Sequence, residues 1–228
     1  MSTADRIVEY IRRNRVSTTE IADCLGKTGA IAGVAPITPG HFRVGRVFWV
    51  HTWDQTNWPV HEQIQNVPEG CVVVVSGVNC AGRALFGDLV SKYLLLYRQV
   101  AAIVAIGPLR DAHRLIKERW PVWCQGFNPV GCYNRPPNAP VDPDWKATVQ
   151  SMFAGAIAVC DDTGVVVIPA SELTEEFIGK LEFIESQEDK WYECVDRLKW
   201  STYRTVCLKE YVSPNDTIMN LDRIESTG

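Results

Sequence analysis

The chain has 228 residues, 46% of them hydrophobic and 22% charged, with a formal net charge of -4 and a pI near 5.6. This is the balance of a globular protein with one substantial core, and it excludes a disordered or collagen-like chain. No basic run is longer than "IRRNR" at 11–15, which disfavours a nucleic-acid partner, and no apolar run approaches the roughly 20 residues that cross a bilayer.

The N-terminal "MSTADRIVEYIRRNR" is a charged helix pattern rather than an apolar signal segment, so a helix over residues 1–16 and a cytoplasmic protein are expected. Next, "VSTTEIADCLGKTGAI" places Ser17 and Glu20 at capping-box spacing, the start of a short helix that Gly26 or Gly29 ends. A Pro/Gly-punctuated link then leads into "RVFWVHTW", whose aromatic and β-branched density predicts a strand. "HEQIQNV" reads as helical. "GCVVVVSG" is a continuous β-branched run bounded by glycines, the mark of a strand buried on both faces.

Residues 87–111 carry the most informative pattern. "DLVSKYLLLYRQ" has helical length and "VAAIVAIG" reads as a second buried strand, completing a strand, glycine turn, helix, strand crossover. In open α/β sheets ligands gather at the carboxyl ends of parallel strands. Gly87 and Asp88 follow one such strand and Arg110 and Asp111 the next, so all four are expected at one cleft.

Beyond this unit, "DAHRLIKERW" predicts a helix, "PVWCQG" a short strand, and "FNPVGCYNRPPNAPVDPDW" a long loop suited to an interface or lid. "GAIAVCDDTGVVVIP" reads as a hairpin turning at Asp162, Thr163 and Gly164. Leu173, Phe177, Leu181 and Ile184 give a helix its apolar face, which the acidic "ESQED" interrupts or extends. The main α/β domain is placed at 17–189 and a C-terminal helical extension at 190–228.

Eight cysteines lie far apart without a CxxC pair, and the four histidines sit in separate segments without HExxH spacing. Reduced, buried thiols are expected rather than disulfides or a zinc site. Cys124 and Cys132, which flank the long loop, are read in this way, with a reactive pair as the alternative. Trp49, Trp53 and Trp58 read as core or subunit packing, and His113 as a solvated helix residue, with His61 a weak candidate base.

Taken in order, "TTEIADCLGKTG", "ITPGHFRVGRVFWV", "EGCVVVVSG", "FGDLV", "LRD", "WPVWCQGFNPVG" and "AVCDDTGVVVIPASEL" resemble the RraA-like family, over about Ser17 to Glu188. That family includes metal-dependent aldolases of the 4-hydroxy-4-methyl-2-oxoglutarate type, oxaloacetate decarboxylases, and a regulator that inhibits an RNA-degrading endonuclease. The resemblance implies a swivelling β/β/α sandwich, assembled as homotrimers or homohexamers with active sites between subunits. It also implies a lyase that cleaves a small 2-oxo acid through a pyruvate enolate, by retro-aldol cleavage or decarboxylation. The different-class alternative is a non-catalytic ring protein that regulates a protein partner.

By that resemblance Gly87, Leu89 and Arg110 bind substrate, Arg110 and Asp88 act in catalysis, Asp111 binds Mg²⁺ or Mn²⁺, and Glu188 is lent by a neighbouring subunit, with Glu185 and Asp189 as rivals. The chemistry is consistent. A guanidinium fork suits the planar carboxylate of a 2-oxo acid, hard divalent ions prefer carboxylate oxygens, and both cations stabilise enolate charge. Asp88 is placed to relay a proton, and the backbone N–H groups after Gly87 to meet a carboxylate. The chain departs from the family pattern in having 21 residues between Asp88 and Arg110 rather than 20. Arg114 and Ile106 stand where acids are usual, which predicts weakened metal affinity.

Overall fold

The computed structural model describes residues 1–212 and divides into two units, Met1–Leu181 and a second unit beginning at Glu182. The first unit opens with α1 (Thr3–Asn14), α2 (Thr18–Cys24), β1 (Ala35–Pro36), β2 (Arg43–Trp53), α3 (Trp58–Gln63) and β3 (Val72–Val78). There follow α4 (Asp88–Lys92), β4 (Ala102–Ile106), α5 (Ala112–Lys117), β5 (Val122–Cys124), α6 (Pro143–Phe153), β6 (Ile157–Cys160) and β7 (Val165–Ile168), and then α7 (Glu175–Tyr192), whose residues from Glu182 onward belong to the second unit. α4 continues through a π-helical turn at Tyr93–Tyr97, and α3 through a 3₁₀ turn at Ile64–Asn66.

The seven strands run in the order β1-β5-β4-β3-β2-β6-β7. β2, β3, β4 and β5 pair in parallel, whereas β1, β6 and β7 pair antiparallel to their neighbours. β2 is long because it serves two partners: Arg43 to Arg46 pair with β6, and Val47 to Trp53 pair with β3. The predicted strand at "RVFWVHTW" covers the second of these segments and only Arg46 of the first.

Burial explains why the central strands lack polar alternation. Val73, Val75, Ile103 and Ala105 enter one core with Leu85, Phe86, Leu94 and Leu115, beneath the helical side of the sheet. Val72, Val74, Ala102 and Val104 enter a second core with Trp123, Phe153, Ala158 and Val167, beneath the β6–β7 hairpin. A strand that packs on both faces must be apolar at every position. The sheet curls, so that its parallel strands carry helices on one face and its own β6–β7 hairpin on the other, in keeping with the β/β/α arrangement that the resemblance implies.

The predicted cap of α2 is present, since Ser17 Oγ accepts from Glu20 N and the Glu20 carboxylate accepts from Ser17 N. α1 carries the same device at Ser2 and Asp5, which the sequence analysis did not single out. The Asp161 carboxylate accepts from Thr18 N at 2.8 Å, Thr18 Oγ1 at 2.7 Å and Thr163 N at 2.8 Å, while its carbonyl accepts from the buried indole of Trp123 at 2.8 Å. One residue thus joins α2, β5 and the β6–β7 turn.

Two other expectations are refined. The tail of the predicted 127–145 loop belongs to α6, which starts at Pro143 with Asp142 as its N-cap. The "ESQED" segment extends α7 to Tyr192 rather than interrupting it. In the second unit, π-helical turns occupy Glu193–Arg197 and Tyr203–Cys207, and Cys194 and Thr205 are buried. There Trp191 Nε1 donates to the Tyr211 hydroxyl at 2.9 Å, and the Arg204 guanidinium lies 3.7 Å from the centroid of the Trp200 ring. The part of the predicted extension from residue 213 lies outside the described residues.

Replacing Asp161 with Ala leaves the Thr18 donors unpaired at the start of α2. It is expected to cost about 2 kcal/mol and to lower Tm by about 4–8 °C, measured by thermal unfolding. A Tm within 1 °C of the parent would contradict the joining role.

Candidate functional site

The segments leaving β3 and β4 emerge at the same sheet edge because the strands are parallel, with Val72 opposite Ala102 and Ser76 opposite Ile106. They are then laced together, as Leu85 N donates to Pro108 O at 2.9 Å and Arg110 N donates to Phe86 O at 3.0 Å. A third segment joins them. Leu109 N donates to Gly126 O at 3.0 Å, Asn128 N to Leu109 O at 2.9 Å and Cys132 N to Ala84 O at 2.9 Å.

This lacing brings Gly87, Asp88, Arg110 and Asp111 together, as the sequence pattern anticipated. The Asp111 carboxylate lies so close to Gly87 that a Cβ there would overlap Oδ2. Asp111 has φ 61° and ψ 35°, a left-handed conformation that Asp tolerates better than most residues and that sits at the entry to α5. Its Oδ2 accepts from Asp88 N at 3.3 Å and lies 3.5 Å from Arg110 Nε. The first N–H of α4 is therefore already engaged by Asp111, instead of being left for a ligand carboxylate.

The Asp88 and Asp111 carboxyl groups are neighbours, since Asp111 Oδ2 reaches the backbone N–H of Asp88 and the Asp111 side chain acts on the Asp88 carboxyl. Two such groups need a proton or a cation between them. Arg114, from the first turns of α5, donates from Nη1 to Asp88 Oδ2 at 2.8 Å. Burial works against the Asp88 charge, but the bonds from Arg114 and Asp111 outweigh it and hold its pKa below the ordinary carboxylate value. The site thus pairs two carboxylates with two guanidiniums.

Arg110 is about half exposed and is backed by Gly131, where an added Cβ would stand 2.7 Å from Nη1. Gly131 is held in turn by Arg83, whose Nη1 donates to the Gly131 carbonyl at 3.0 Å and whose guanidinium stacks 4.5 Å from the Tyr133 ring centroid. The sequence analysis did not identify Arg83, Gly131 or the Arg114–Asp88 pair. Each depends on contacts between distant segments, although Arg114 was already visible as a departure from the family pattern.

Leu89 is 74% exposed, next to Asp88. It shares an open cavity of about 500 Å³ with His61, Ile64, Tyr93 and Tyr97. Burial lowers the His61 pKa, and His113 is exposed on α5 as expected. Glu188 lies on α7 within the second unit, where it is partly buried.

Trp49 and Trp53 stack on either side of His51, at 4.6 and 5.7 Å between ring centroids, with Trp145 of α6 against the stack. They pack within the fold, as read from the sequence, whereas Trp58 is 40% exposed. All eight cysteines are free and seven are buried. The thiol facing Cys132 is that of Cys80: the interaction between them lowers the pKa of Cys80 and, with burial, raises that of Cys132.

For Mg²⁺ or Mn²⁺ the donor chemistry fits at Asp88 and Asp111. These ions accept one or two carboxylates and retain waters. The absence of a side chain at Gly87 lets the Asp111 carboxylate lie against the backbone at the start of α4. Among the described residues no group of three His, Cys, Asp or Glu side chains converges, so such an ion would take its remaining ligands from water and substrate.

Known proteins agree with this architecture. The RraA-like family (Aldolase/RraA) matches residues 18–167. Protein DlpA of Legionella pneumophila is 23% identical over 187 residues, covering 80% of this chain, and the chain spans only 30% of that protein's length. An uncharacterized protein from Pseudomonas syringae superposes with a TM-score of 0.63 at 22% identity, covering 84% of this chain and 92% of the other. RraAS2 of Streptomyces coelicolor, described as an unusual member of the RNase ES inhibitor RraA protein family, does so with a TM-score of 0.58 at 23% identity, covering 78% and 92%. With the family match spanning well over half its length and the fold agreeing, the chain belongs to the RraA-like (Aldolase/RraA) family.

Proposed function

We propose that the protein is a carbon–carbon lyase that cleaves a small 2-oxo acid through a pyruvate enolate, with Mg²⁺ or Mn²⁺ held at Asp111 and Asp88. The observation that carries this reading is the pair of neighbouring carboxylates, Asp88 and Asp111, gathered at Gly87 and bracketed by Arg110 and Arg114 at the strand edge. The ion, when bound, supplies positive charge that stabilises the enolate.

The chain's own residues do the rest. Arg110 grips the substrate carboxylate through its N–H fork and orients the adjacent ketone. In oxaloacetate the bond from C3 to C4 breaks, CO₂ leaves, and the electron pair passes to the ketone oxygen as enolate. Asp88 relays the proton that returns to C3 and completes pyruvate. In a retro-aldol cleavage the same carboxylate first receives the hydroxyl proton of the departing carbonyl fragment. Decarboxylation needs no such base and is the hardier of the two reactions.

The proposal extends to assembly as a homotrimer or homohexamer. Its support is the exposed apolar side chains Leu89, Leu96 and Tyr97 beside the site. A neighbouring subunit's Glu188 completing the site belongs to this reading, as does a cytoplasmic location, in keeping with eight free thiols. A second reading, a ring protein that regulates a protein partner, is favoured by Arg114 standing where the family usually has an acid; RraAS2 carries a description of that kind.

Pyruvate release from oxaloacetate tests the two readings, with Mg²⁺ or Mn²⁺ measured against a chelated sample and metal-only blanks. The lyase requires metal-dependent turnover that falls by about 100-fold in Asp111→Ala and in Arg110→Ala. Turnover no greater than the blank in the parent protein, together with a protein partner that is captured equally by the parent and by Arg110→Ala, would favour the regulator. Gly87→Ala should lose turnover to a similar extent while keeping the parental circular dichroism spectrum, because the added methyl displaces Asp111. Full activity in that variant would contradict the close approach.

A further inference from the structure

Arg114 reaches from α5 to Asp88 across 2.8 Å, although its own side chain is 66% exposed and that of Asp88 only 25%. The more exposed partner of a surface ion pair is the cheaper one to move, since it can exchange its acceptor for water or for another anion. The bond uses Nη1, and a guanidinium offers five donors in a fork. Asp88 also donates its backbone N–H to Asp111 Oδ2 at 3.3 Å, and that oxygen lies 3.5 Å from Arg110 Nε. Any cation that settles between the two carboxylates must therefore contend with a guanidinium already resident on one of them.

Resting on the lyase reading above, we infer that Arg114 competes with the divalent cation for Asp88, and that cation binding releases the guanidinium to receive a carboxylate of the substrate. The charges support this exchange. Arg110 and Arg114 balance Asp88 and Asp111 when the site is empty of ions. Adding a divalent cation leaves two surplus positive charges beside an exposed fork, and an anionic substrate neutralises them. Metal and substrate then bind with positive coupling, and Arg114 carries the coupling from one to the other. Arg114 is a positioning residue toward the metal and a binding residue toward the substrate.

The test is Mn²⁺ affinity, measured by electron paramagnetic resonance of free Mn²⁺ with the full chain, with and without oxalate as a planar dianionic probe. Arg114→Gln keeps most of the side-chain volume but loses the charge. It is expected to tighten Mn²⁺ binding about fivefold in the absence of oxalate. It should also lessen the further tightening that oxalate produces in the parent protein. Arg114→Lys, which keeps the charge, should restore the weaker parental affinity. Mn²⁺ affinity unchanged or weakened in Arg114→Gln, with the parent binding the ion normally, would overturn the competition while leaving the lyase reading intact. No Mn²⁺ binding by the parent or either variant would overturn both.

Discussion

The parallel pairing of β3 with β4 is the constraint on which the candidate site depends. It sends the two following segments out of the same sheet edge, and the backbone bonds from Leu85 to Pro108 and from Arg110 to Phe86 then fix their register. From that register follows the contact of Asp111 with Gly87, and from the contact follows the approach of the Asp111 carboxylate to the start of α4, beside Asp88. Two negative groups held so close are unfavourable unless compensated. The chain compensates with Arg110 and Arg114, drawn from the same short stretch as Asp111.

The site has support on its other sides. Gly131 stands against Arg110, and Arg83 holds Gly131 through its carbonyl while stacking on Tyr133. The facing Cys80 and Cys132 thiols lie in the core shared by these segments. On the far side of the sheet, the Trp49, His51 and Trp53 stack packs against α6. A fold with two cores, one on each face of the parallel strands, gives the edge loops a rigid base. Preorganisation of that kind is what a site must have if its groups are to act without paying for rearrangement.

Much of this was legible in the sequence where a local physical rule applied. "GCVVVVSG" and "VAAIVAIG" announced strands buried on both faces because no polar residue interrupts them, and Ser17 with Glu20 announced a helix start because capping is a three-residue geometry. Their succession placed Gly87, Asp88, Arg110 and Asp111 at one edge. What stayed hidden depended on distant partners or on signals weaker than their surroundings. α6 was masked by the proline-rich loop before it, though Asp142 and Pro143 form an N-terminal signal. Cys132 was grouped with Cys124 by position in the chain, whereas folding sets it against Cys80. Arg114 could be seen as a missing acid, but its bond to Asp88 spans 26 residues and required the structure.

The central claim is that the two facing carboxylates and Arg110 form one site for a divalent cation and a 2-oxo acid. A crystal structure grown with Mn²⁺ and oxalate, read from the anomalous signal of the metal, tests it most directly. The account predicts an Mn²⁺ peak in contact with Asp111, and oxalate between the ion and Arg110. An ion bound elsewhere on the chain, with the Asp88–Arg114 pair unchanged and no oxalate at Arg110, would contradict it.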